Sequence, residues 1–270
     1  MARKAISMYD GDVRIWFEQR NHLYTHDNGD IIANPSSVLK LVNKPFLVPY
    51  AAKKATESME LSFQPYTQYD VVQIGQMLRA AKRAHKEYSA DRMLIGSQIH
   101  AYCEQRIRFE LGLRKTKKAL PPSEGLPEVR KGAEAFEEFV WRYSPTWHFA
   151  ERVVYSRASD HVGTVDAACD IDGKTYVVDW KTGAGLYPEH AWQMASYWGA
   201  LVEEEPDEYE HAERLLVRLS TDSGKFKPYM EADIQERLTG GSAAQDYAQF
   251  LRLLESWRYT QAGPQGWVFR

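Results

Sequence analysis

The chain has 270 residues and only two cysteines, Cys103 and Cys169. Two thiols exclude a disulfide framework and a four-cysteine metal cluster, so both read as small buried hydrophobes. No apolar run approaches the length of a membrane span. The opening stretch, MARKAISMYDGD, lacks the apolar core of a secretory signal. These two absences point to a cytoplasmic protein with no membrane partner. There is no GxxxxGK[ST] loop, which disfavours an ATP-driven motor, and there is no internal repeat. Net charge is −3, so the whole chain carries no electrostatic signature of nucleic-acid binding.

What is present is ordinary in bulk, with 44% hydrophobic and 26% charged residues, and uneven in detail. From Arg79 to Lys118 the sequence holds eleven Lys or Arg against four acids, while Glu203 to Glu213 is acidic. A basic segment inside an acidic chain suits a protein that grips phosphates in one groove, or else a solvated helix face.

The stretch from Val162 to Lys181 organises the rest. Asp172-Gly173 is a strong two-residue hairpin signal, because a primed turn needs φ > 0 at both central residues. The turn sets the register: Ile171 opposite Lys174, Asp170 opposite Thr175, and further out Asp166 opposite Asp179. Lys181 lies two residues beyond Asp179 and shares its face. Like charges directly opposite each other are destabilising, and a divalent cation between the two carboxylates removes that cost. Two carboxylates and a lysine on one face describe a metal-dependent hydrolysis site, with phosphodiester cleavage the leading chemistry. The competing structural reading is a bulged strand with Lys181 pairing one exposed acid.

The remaining elements follow from periodicity and punctuation. Residues 13 to 32 read as a hairpin. Pro35-Ser36-Ser37 reads as a helix start with a serine cap. Residues 50 to 60 and 68 to 90 read as helical. Met93 to Phe109 reads as a further helix, with Ile95, Ile99, Cys103 and Ile107 on one stripe and Gly96, His100 and Glu104 on the next. Residues 114 to 127 read as a basic, proline-containing loop, 128 to 143 as an amphipathic helix, and Phe149 to Tyr155 as a strand with Glu151 early in it. Pro188 opens a helix that brings Gln193 and Tyr197 to one face. A second hairpin follows at 215 to 230, and a closing helix at 243 to 258.

Gly163-Thr164-Val165-Asp166, then Val178-Asp179-Trp180-Lys181-Thr182-Gly183, resembles the core of the PD-(D/E)XK nuclease superfamily, in its RecB-type and phage-exonuclease branch. Gln193 and Tyr197 resemble that branch's QxxxY motif, and Gly96 and His100 its GxxxH helix. The resemblance covers roughly residues 93 to 201. Val165 stands where the family's usual proline would be. The resemblance implies an α/β (α+β) fold: a central mixed sheet flanked by helices, in one nuclease domain, with residues 1–92 a largely helical N-terminal elaboration and 93–260 the catalytic core. It implies one or two Mg²⁺ or Mn²⁺ ions held by Asp166, Asp179 and His100, with the backbone carbonyl of Trp180 as a further oxygen. Glu151 would support the metal site. Glu104, on the His100 stripe, reads either as a hydrogen-bond partner of the imidazole or as a surface acid. Lys181 would orient the attacking water or offset phosphate charge, and Gln193 and Tyr197 would position the strand. Some RecB-type nucleases carry an iron–sulfur cluster, which two cysteines cannot hold. The implied activity is a DNA exonuclease in recombination or repair, in a bacterial or phage-infected cell, with a single-strand annealing or recombination protein as a partner. An endonuclease of the same chemistry and a DNA-binding accessory protein that no longer cuts are the alternatives.

Overall fold

The computed structural model describes residues 3–19, 23–117, 120–121 and 125–262. The chain divides into two compact units, one of residues 1–41 with 99–270 and one of residues 42–98. The segment expected as an N-terminal elaboration is therefore split, and its first 41 residues belong to the larger unit.

The larger unit opens with an antiparallel meander of β1 (Arg3–Met8), β2 (Val13–Glu18), β3 (Leu23–Thr25) and β4 (Ile31–Ile32). The hairpin expected over 13–32 is present, whereas β1 is an addition: its mostly exposed residues carry no apolar alternation. Met8, Ile15, Tyr24 and Ile32 pack with Tyr155 and Val162. Next comes α1 (Pro35–Val38). Its cap is Asn34, not a serine: the Asn34 side chain accepts from the Ser37 N–H, and Pro35 takes the first helical position.

The smaller unit contains α2 (Leu47–Ser62) and the first part of α3 (Val71–Glu110), which continues into the larger unit from Ile99 onward. α3 is one 40-residue helix where two were expected. Nothing between Ser89 and Arg92 breaks it, since the junction has neither proline nor glycine. Within the smaller unit Tyr50 packs edge-on to Tyr88 and the Lys54 ammonium lies 4.1 Å from the Tyr88 ring centre.

The larger unit continues with α4 (Pro127–Tyr143), β5 (Thr146–Ser156), β6 (His161–Ile171), β7 (Lys174–Lys181), α5 (Pro188–Glu204), α6 (Pro206–Tyr209), β8 (Glu213–Leu219), β9 (Phe226–Tyr229), α7 (Glu231–Ile234) and α8 (Ala243–Ala262). The five strands form one mixed sheet in chain order. Only the β7–β8 pair is parallel, and α5 supplies the crossover that a parallel connection requires. This is the mixed α/β sheet with flanking helices expected from the sequence. Asp172 and Gly173 have φ of 51° and 77°, and the β6–β7 register runs from Ile171–Lys174 to Ala167–Val178 as the turn dictates.

Alternation along β7 assigns its two faces. Trp180 points into an aromatic cluster with Phe136 and Phe139 of α4 and Trp147 of β5. Val177 points the other way, into an apolar cluster with Met194, Tyr197 and Leu201 of α5. Asp179 and Lys181 share the face of Val177 and therefore look toward α5. Central strands covered on both faces read as continuous apolar runs. From Tyr176 to Trp180 β7 does so except at Asp179, a carboxylate only 3% exposed.

Candidate metal centre

Four elements converge at the site. α3 brings His100, β5 brings Glu151, β6 brings Asp166, and β7 brings Asp179 and Lys181. His100 is placed by the stripe beside it: Ile99, Cys103 and Ile107 are fully buried, and Ile99 lies against Gly132 of α4, where a Cβ would come within 2.3 Å of Ile99 Cδ1. A side chain at position 132 would push α3 off the core.

Ligand atoms of His100, Glu151 and Asp166 all lie within 4.8 Å of one another. His100 Nδ1 is 3.3 Å from Asp166 Oδ2, and the same oxygen accepts the Trp180 N–H at 2.8 Å. The β6–β7 ladder stops one pair short of Asp166 and Asp179, because the Asp166 side chain takes the N–H of the neighbouring strand. The Trp180 N–H is thus held by the Asp166 carboxylate.

Glu151 reaches the cluster through an unusual backbone. Its φ is +52° in the middle of a strand, a left-handed conformation that costs a non-glycine residue about 1–2 kcal/mol. The pleat resets there. Phe149 and Val154 pack against the same apolar cluster, as do Val165 and Ala168 of β6. Each pair is an odd number of residues apart and would face opposite sides of a regular strand.

Asp179, expected as the partner of Asp166 across a cation, is paired instead with Lys181. Its Oδ2 lies 2.7 Å from Lys181 Nζ, a close charge pair with the carboxylate buried. Lys181 donates to Gln193 Oε1 at 2.9 Å, and Gln193 Nε2 donates to the Tyr197 hydroxyl at 2.8 Å. Both ends of the Gln193 amide are therefore engaged within the protein, and Tyr197 is buried. Gln193 and Tyr197, expected to position a DNA strand, are hydrogen-bonded to each other, and Gln193 to the lysine. Glu104, expected to hydrogen-bond the imidazole, forms an ion pair with Arg108 at 2.9 Å.

The charges are mutually dependent. Burial alone would depress His100, but the Asp166 carboxylate, with Asp179 behind it, raises the imidazole to about 9. Burial resists ionisation of Asp166 too, and the His100 charge overcomes it, so Asp166 titrates below its usual range. Burial, then the charge of Asp166, raises Glu151 to about 7. Burial likewise raises Asp179, to about 6, against the pull of Lys181. Crowded carboxylates balanced by a borrowed proton on histidine fit a site suited to a cation. One imidazole and two carboxylates, from His100, Glu151 and Asp166, could hold a metal ion.

The basic segment is largely committed within the protein. Arg106 is buried between Glu110 and Glu137, Arg83 pairs with Glu87, and Arg114 donates to Gln105. Lys118 lies outside the described residues. Both cysteines are buried free thiols, as expected. Among the described residues no helix is long and apolar enough to cross a membrane. A cleft of about 560 Å³ lies elsewhere, bounded by His148, Arg152, Glu204 and Tyr209, and none of the site residues lines it. No protein-family model matches the chain, and no curated protein matches its sequence.

Proposed function

We propose that the chain is a Mg²⁺- or Mn²⁺-dependent DNA exonuclease that hydrolyses phosphodiester bonds during recombination or repair. The observation that carries this reading is the convergence of His100, Glu151 and Asp166 within 4.8 Å, beside a buried Asp179–Lys181 pair. The exonuclease assignment and the DNA substrate rest on the motif resemblance of Gly163–Asp166, Asp179–Lys181, Gln193 and Tyr197. His100, Glu151 and Asp166 would hold the cation, with the Asp179–Lys181 pair beside them. The bound cation supplies Lewis-acid polarisation of the phosphoryl group and a water of lowered pKa. The Trp180 N–H fixes the Asp166 carboxylate, leaving its other oxygen for coordination. Lys181, in an ion pair with Asp179 and donating to Gln193, would offset charge on the phosphate in the transition state.

The test is end-labelled linear duplex DNA incubated with Mg²⁺, Mn²⁺ or EDTA, for the wild type and Lys181→Ala. Metal-dependent release of nucleotides that Lys181→Ala abolishes is the expected result. Tight DNA binding with no cleavage in either cation would replace the proposal with the accessory-protein reading.

A further inference from the structure

Gly163 sits on β6, three residues before Asp166, and faces Tyr197 of α5. A Cβ built there would lie 2.4 Å from Tyr197 Cε1 and 2.8 Å from Cδ1. Real Cβ contacts do not approach that closely, and the ring has little room to yield, because it is buried among Val154, Met194 and Leu201. The absent side chain at 163 is therefore what lets the Tyr197 ring lie close against the strand. From the ring a chain of contacts runs to the reaction centre: the hydroxyl accepts from Gln193 Nε2, and Gln193 Oε1 accepts from Lys181. Gln193 and Tyr197 are one helical turn apart and Lys181 ends β7, so the chain ties together β6, α5 and β7.

We infer that Gly163 and Tyr197 are positioning residues for Lys181, acting through Gln193 to hold its ammonium against Asp179. The inference rests on the nuclease reading for its catalytic consequence, and on the hydrogen-bond chain alone for its structural one. A side chain at 163 displaces the ring, the hydroxyl leaves Gln193, and the freed amide no longer holds the lysine. Tyr197→Phe breaks the same chain at the hydroxyl without adding bulk, so it serves where Gly163→Ala folds poorly. Neither residue touches substrate in this arrangement. Their loss should lower kcat and leave KM alone, whereas a pair that gripped DNA would raise KM.

The experiment has two readouts on wild type, Gly163→Ala, Tyr197→Phe and the double variant. The first is steady-state cleavage of linear DNA in Mn²⁺. Losing a hydrogen bond to a charged group corresponds to a fall of about 10- to 100-fold in kcat. KM should stay within about twofold, and the double variant should be no worse than the worse single, because both act through one chain. The second readout is the rate at which acetic anhydride labels Lys181 in the metal-free protein, followed by mass spectrometry. Its side chain is 17% exposed in the intact arrangement, and both single variants should label several-fold faster as the ammonium is released. Raised KM, losses that multiply in the double variant, or a Lys181 labelling rate that Tyr197→Phe leaves unchanged would overturn the inference. If the wild type cleaves no DNA, the nuclease reading falls and the labelling rates alone decide whether the positioning chain stands.

Discussion

Glu151 is the residue at which stability and function are set against each other, and replacing it separates the two. Its φ of +52° suits glycine and strains any other residue. Glu151→Gly relieves about 1–2 kcal/mol of left-handed strain, offset by roughly 0.5–1 kcal/mol from the freer unfolded chain. Glu151→Ala removes the same carboxylate and keeps the strain. The glycine variant should therefore be more stable than the alanine variant by roughly 0.5–1 kcal/mol, a difference of about 1–2 °C in unfolding midpoint for a chain of this size. Both variants also lose an acid that burial and Asp166 hold at about 7, so neither should be much less stable than wild type in EDTA. Added cation distinguishes them from wild type. A ligand at 100 times its Kd stabilises the folded state by about 2.7 kcal/mol, and both variants should forfeit most of that shift. Differential scanning calorimetry with and without Mn²⁺ measures all three quantities. An alanine variant as stable as the glycine variant would refute the strain account, and an undiminished Mn²⁺ shift in both would refute Glu151 as a ligand.

Cation binding must displace protons from His100, which titrates near 9, and from Glu151, near 7. Mn²⁺ affinity should therefore rise as pH increases from 6 to 9, and calorimetry in buffers of different ionisation enthalpy should detect proton release. Gly132→Ala forces its new methyl group against Ile99 and should cost about 1–3 kcal/mol by overpacking; Ile99→Val in that background should recover part of the stability and of the Mn²⁺ affinity. Arg214 is wholly buried and joins β8 to Glu231 of α7 and Asp246 of α8 at 2.7 and 2.6 Å. Arg214→Met leaves both carboxylates without their cation and should cost about 3–5 kcal/mol, which thermal unfolding would reveal. His161 is buried and neutral, its ring contacting Ser159 Oγ and donating to the Ser196 carbonyl, and burial lowers it to about 4. Between its unfolded value of about 6.5 and about 4 the unfolded chain binds the extra proton, so this contribution is complete above pH 6.5 and lost as pH falls toward 4.

The parts of this fold legible in the sequence are those governed by local rules. Asp172-Gly173 could make only one kind of turn, and that turn fixed the pairing as far as Ala167 and Val178. Pro188 marked the start of α5. What escaped was set by tertiary context. β1 is recruited by its partner strand and not by its own pattern. Extrapolating the hairpin placed Asp166 squarely opposite Asp179, but a side chain that competes for a backbone N–H ends a ladder, and nothing in the spacing announces it. Nor does period-two alternation encode a left-handed residue inside a strand, so the meeting of Glu151 with His100 had no signal beyond the motif resemblance. Gly163 was visible as part of a motif. Its reason, the ring of Tyr197 lying against it, belongs to residues 34 positions apart in the chain.

The most direct measurement is the loss of linear duplex DNA beside covalently closed circular DNA across a Mg²⁺ or Mn²⁺ titration, with Asp166→Asn as the control. The account predicts metal-dependent degradation of the linear form, an intact circle, and no cleavage of either by Asp166→Asn. Nicking or linearising of the circle would contradict action at ends, and cleavage that survives in EDTA or in Asp166→Asn would contradict the metal centre itself.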